Sequence, residues 1–228
     1  MERYPNQMVE VPMSSKSRRE AQSKQTRALI VRAASRLMLE RGYIPTTLGA
    51  IAAEAGVAVQ TVYNSVGGKA AILSAVLDLA AARTTEPDAG PGPLRSRVGE
   101  ARTAAEIVRT LTDWIAELNE RTSGVHRVIA QAAGVDTDIA ELEIRRSAQR
   151  LLQYGEVASA LRSRNSLRGG LSDHEAAATV WALGHPQAYR SLVLDLGWSG
   201  AAYRDWLAKA LHGALSLPGA HGGARDQI

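Results

Sequence analysis

The sequence predicts an all-α protein, with a compact N-terminal unit of crossed helices followed by a longer helical domain, and three observations predict it. Apolar residues recur at helical spacing through most of the chain, and no alternating strand pattern competes. The stretch Thr46 to Lys69, TTLGAIAAEAGVAVQTVYNSVGGK, sets small and apolar residues at the spacing of a helix-turn-helix. A proline- and glycine-rich segment, TTEPDAGPGPLRSRVG over 84–99, separates the two halves.

Taken in order, residues 1–22 are polar, with Pro5, Pro12 and a Ser/Lys/Arg cluster, and are expected to form a flexible basic arm. The unit 23–83 begins with a helix from about Lys24 to Arg41, carried by Leu29, Ile30, Ala33, Ala34, Leu37 and Met38 and stopped at Gly42. In a helix-turn-helix, two helices cross at about 90–120° over a short turn. The first here is expected at Leu48 to Ala55, capped by Thr46 or Thr47. Ala52 marks the close approach, and Gly56 sits where a left-handed conformation costs glycine nothing. Ile51, Ala55, Val57 and Val62 would share one core with the second helix, Val59 to Asn64. Val59, Gln60, Thr61, Tyr63 and Asn64 are then left on or near its outer face. A fourth helix runs from about Lys69 to Ala82 on Ile72, Leu73, Val76, Leu77 and Leu79.

Beyond the 84–99 linker, a helical effector-binding and dimerisation domain is expected over 100–216 and a flexible tail over 217–228. Its helices are expected at about 103 to 120, 124 to 133, 138 to 164, 172 to 183, 186 to 196 and 200 to 215. Thr103 with Glu106, and Ser172 with Glu175, match the capping box. Gly184 followed by Pro186 reads as one helix ending and another beginning.

At 228 residues and 45% hydrophobic, the chain can hold a sizeable core. It has no cysteine, which excludes disulfides, thiolate metal sites and a cysteine nucleophile. No apolar run approaches a membrane span and no secretory signal core is visible, so a cytoplasmic protein, nucleoid-associated through DNA binding, is expected. The net charge of +4 is uneven: residues 14–83 carry ten basic side chains against four acidic ones, and the remainder is close to balance. A polyanion is the natural partner of that half.

Over Arg27 to Leu73 the chain resembles the TetR family, the tetracycline-repressor-like bacterial regulators: an Ala-Ala pair and Leu-Met on the first helix, then GYIPTTLGAIAAEAGVAVQTVYNSVGGKAAIL. The resemblance implies phosphate and base contacts at Thr47, Gln60, Thr61, Tyr63 and Lys69. It also implies a homodimer on a double-stranded DNA operator and a small-molecule effector of unknown identity. The sequence departs from the family at Ser65 and Val66, where the family has His or Tyr followed by Phe, and at Gln60, where glycine is usual. Chemistry alone assigns Gln60 to adenine and Val59 to a thymine methyl. Thr47, Thr61, Tyr63 and Asn64 suit phosphate, and so does Lys69 at a helix start.

Candidate effector-lining residues are Trp114, Leu118, Val128, Ile129, Gln131, Leu151, Tyr154 and Trp181. Candidate dimer residues are Tyr189, Leu192, Tyr203, Trp206, Leu207 and Leu211, from the part of the chain richest in aromatics. Two other classes compete. A small helical enzyme finds no support: Val66-Gly67-Gly68-Lys69-Ala70 lacks the glycine spacing of a phosphate loop, and the five histidines form no i, i+4 metal pair. No cofactor or metal is expected. A constitutive or architectural DNA-binding protein without an effector would share the first half of the chain.

Overall fold

The structure, a computed structural model, describes residues 15–82 and 94–215. The expected tail over 217–228, the first part of the arm and the linker up to residue 93 lie outside the described residues. Among those described, the regular elements are helices: α1 (Ser15–Arg41), α2 (Leu48–Ala55), α3 (Val59–Ser65), α4 (Lys69–Ala81), α5 (Leu94–Glu100), α6 (Ala104–Ala133), α7 (Thr137–Ser163), α8 (Asp173–Leu183), α9 (Pro186–Tyr189) and α10 (Gly200–Leu215).

Local chemistry fixes most of these ends. Thr47 caps α2 by accepting from the Ala50 amide at 3.1 Å. Gly56 closes it in the left-handed region at φ 68°, letting its own amide and that of Val57 satisfy the last carbonyls. Both capping boxes form, Thr103 with Glu106 on α6 and Ser172 with Glu175 on α8. In each, the glutamate accepts backbone N–H bonds that hold its pKa below the ordinary value. Gly184 caps α8, and Pro186 opens α9, which runs on into a wider π-helical turn over Arg190–Asp195.

Three features differ from the sequence expectation. Helix α1 starts at Ser15, so part of the expected arm is helical, a polar extension exposed over 18–25 that leaves no apolar period to read. The linker ends in a helix, α5, anchored by buried Leu94 and Val98. The helices expected at 103–120 and 124–133 are one rod of 30 residues, α6, about 45 Å long. Gly124 does not break it; the missing side chain admits Leu39 of α1, whose methyl lies 3.1 Å from where a Cβ would stand.

The buried side chains form two clusters. One holds α1 to α4 together and is completed by Val125, Val128, Ile129 and Ala132 of α6 with Ile139 and Leu142 of α7. The other fills the C-terminal half between α5, the first part of α6, α7, α8 and α10. At its centre Asn119 donates to the Gly184 carbonyl at 3.1 Å and to the Tyr203 hydroxyl at 3.2 Å, so the buried amide is satisfied.

This packing corrects the dimer residues expected from sequence. Tyr203, Leu207 and Leu211 are fully buried within one chain and Tyr189 nearly so, turned inward because α10 packs on α6 and α8. The Tyr189 and Tyr203 rings meet edge to face at 4.9 Å, and Tyr203 lies 5.8 Å from Trp206. These four have no surface left for a partner; Leu192 and Trp206 keep part of theirs.

Candidate nucleic-acid interface and effector cleft

Helix α3 is only seven residues long, too short to hold its shape alone. Val62, fully buried, pins it to α1 and α2, and Arg27 of α1 donates to the Ser65 carbonyl at its last turn, 2.9 Å. The opposite face is bare: Val59 is 48% and Tyr63 60% exposed, with Gln60 and Asn64 open beside them and Thr61 half-buried. The Gln60 amide donates to Asn64 Oδ1 at 2.9 Å, an i, i+4 pair that orients both side chains. Thr47 stands at the start of α2, exposed, with its hydroxyl engaged in the cap.

Lys69 is held more firmly than its sequence position suggests. Its ammonium lies 4.1 Å from the centre of the Tyr43 ring and donates to the Ile44 carbonyl at 3.1 Å. Partial burial lowers its pKa. Tyr43 in turn donates to Asp136 Oδ2 at 2.8 Å, across the boundary between the two halves, while Asp136 caps α7. Burial, followed by that carboxylate, raises the Tyr43 pKa. Sequence reading placed Tyr43 in a motif and gave it no role, since its partner lies 93 residues away.

Where the two halves meet, a cleft opens between α4, α6 and α7. Trp114 and Leu118, two of the expected effector-lining residues, line it together with Leu77, Asp78, His126, Arg146 and Arg150, which the sequence did not single out. The other candidates lie elsewhere. Val128 and Ile129 are in the N-terminal core because α6 is continuous, and Gln131 is on the surface. Tyr154 is buried behind Trp114, Leu151 packs on the C-terminal core, and Trp181 meets His185 edge to face at 4.7 Å. Among the described residues no His/Asp/Glu cluster suited to a metal occurs, and no helix is long and apolar enough to cross a membrane.

An outward short helix locked by a crossed partner, set on a shared core with a larger helical half, defines a two-domain helix-turn-helix protein. Residues 30–76 match the family model of the bacterial regulatory proteins, tetR family. The N-terminal unit is thus a helix-turn-helix domain of the tetR type, and regulators of that family are DNA-binding transcriptional repressors, generally without enzymatic activity.

The whole fold is shared with solved structures of low sequence identity. NalD, the secondary repressor of the MexAB-OprM multidrug efflux pump in Pseudomonas aeruginosa, superposes with a TM-score of 0.67 at 21% identity, over 86% of this chain and 98% of that one. The SmeT-triclosan complex gives 0.67 at 18%, over 88% and 96%. A TetR-family regulator from Mesorhizobium loti gives 0.64 at 18%, over 86% and 98%. No curated protein has a matching sequence.

Proposed function

We propose that the chain represses transcription as a ligand-responsive homodimer in the cytoplasm, each protomer laying α3 in the major groove of half a near-palindromic operator. What carries the reading is the face of α3: a buried Val62 behind, and Val59, Gln60, Tyr63 and Asn64 presented together in front. Gln60 and Val59 read bases, on adenine and a thymine methyl. Thr47, Thr61, Tyr63, Asn64 and Lys69 hold phosphate and fix register. An effector in the cleft between α4, α6 and α7 would change the spacing of the two reading heads through α4. It can do so only if it binds the two states unequally. The bound ligand of SmeT supports this by analogy of fold.

Selection of bound fragments from random duplexes tests the reading and gives the operator. On that operator Gln60→Ala is expected to relax base preference at one position per half-site, worth about 1–3 kcal/mol of discrimination. Lys69→Ala is expected to weaken binding to all sequences and to lower the salt slope by about 1. Retardation of no duplex at low salt would sink the proposal.

A further inference from the structure

The lining of the effector cleft has a specific chemistry. Its floor is Trp114 and Leu118, with Trp114 braced edge-on by Tyr154 at 6.5 Å. On α7, Arg146 and Arg150 stand one turn apart on the same face, both in the wall. The carboxylate of the lining, Asp78, is already engaged: Arg146 Nη2 donates to Asp78 Oδ1 and to Ser74 Oγ, both at 2.7 Å, and so ties α7 to α4. Arg150 has no such contact: Glu143, on the same helix, acts on its charge only from beyond ion-pair distance. Arg150 is half-buried, and among the described residues its hydrogen-bond partner is the Ser147 hydroxyl at 3.2 Å, with no carboxylate at ion-pair distance. Burial, then the charges of Arg150 and His185, keep His126 unprotonated, so it adds no charge to the wall.

A guanidinium partly withdrawn from water with no carboxylate in contact is costly, and a site that pairs one with an aromatic floor is stabilised by an anion with an apolar body. We propose that the effector is a compact organic monocarboxylate, its carboxylate held by Arg150 and its ring or branched chain lying on Trp114 and Leu118. The inference rests on the cleft being the effector site. The planar fork of arginine matches a carboxylate in bidentate fashion. The cleft is open to solvent, with a volume of about 90 Å³, and shares Arg146 and Gln149 with a groove of about 490 Å³ between α4 and α7, so a small ring can enter it. A carboxylate on Arg150 lies one helical turn from Arg146 and competes there with Asp78. The tie between α7 and α4 would loosen as the effector binds.

Titrating benzoate, and benzamide as its uncharged counterpart, into the full chain tests this by calorimetry and tryptophan emission. Benzoate is expected to bind about tenfold or more tightly than benzamide, as a charge-assisted pair requires. Arg150→Gln should erase the difference. Arg150→Lys, which keeps the charge should the glutamine variant not fold, should keep the preference. Equal binding of acid and amide, a preference that survives Arg150→Gln or is lost in Arg150→Lys, or no binding of either would each overturn the proposal. Duplex retardation by the same samples separates the two readings. A protein that retards DNA but shows no acid preference loses only the anion assignment, and one that prefers the acid but retards no DNA loses only the regulator.

Discussion

At position 56 a single backbone angle carries the turn between the crossed helices. Gly56 sits at φ 68°, a region that costs other residues about 1–2 kcal/mol, and a Cβ there would meet no neighbour. Gly56→Ala is therefore expected to destabilise by about that amount through backbone strain alone, read as a fall in the urea midpoint with an unchanged slope. This residue was legible in the sequence because the demand on it is local, as was the cap at Thr47. Arg146 and Arg150 were not. A basic pair on a long charged helix looks like solvated surface until its partners are known, and Ser74 lies 72 residues away. The same is true of Tyr43, whose phenol and ring serve Asp136 and Lys69 at once.

Among the elements, two glycines of similar appearance have opposite roles. Gly184 ends α8 against α6, and a Cβ there would stand 2.8 Å from Ile115 Cδ1 and 3.0 Å from the Val180 carbonyl oxygen. The methyl of Ile115 can move, but the backbone oxygen cannot, so Gly184→Ala is expected to cost about 1–3 kcal/mol. At Gly124, inside α6, the obstacle is only the Leu39 methyl at 3.1 Å, the far end of a side chain that is itself partly exposed. Gly124→Ala should be neutral or stabilising by up to about 1 kcal/mol, since alanine suits a helix interior better. Thermal melts of the two variants check the contrast. Here too the sequence was half legible: Gly184 signals an end where α8 does stop, whereas the break expected between 120 and 124 does not occur. Helix α5 escaped notice because two turns with one apolar pair, Leu94 and Val98, carry too little pattern to outweigh the prolines before them.

On the scale of the molecule, acid should act through the cleft. His126 is packed between α6 and α7 with Arg150 and His185 facing it, and burial first, then those charges, push its pKa from 6.5 down to about 3. Between these values the unfolded chain binds a proton that the folded one refuses. Stability is therefore whole above pH 6.5 and falls as the pH drops toward 3, by about 2 kcal/mol at pH 5. His126→Gln is expected to remove that part of the acid sensitivity, seen as a flatter dependence of unfolding free energy between pH 7 and pH 5. The cleft that titrates also borders the rod that both halves share. Along α6, Leu118, Thr122 and His126 face the cleft, while Val125, Val128 and Ile129 complete the packing beneath the reading head on interleaved turns. No hinge intervenes between the two sets. On the proposed reading, an effector wedged against the first set would turn or slide the second with it, like a crankshaft, and the message to the head would need no loop to carry it.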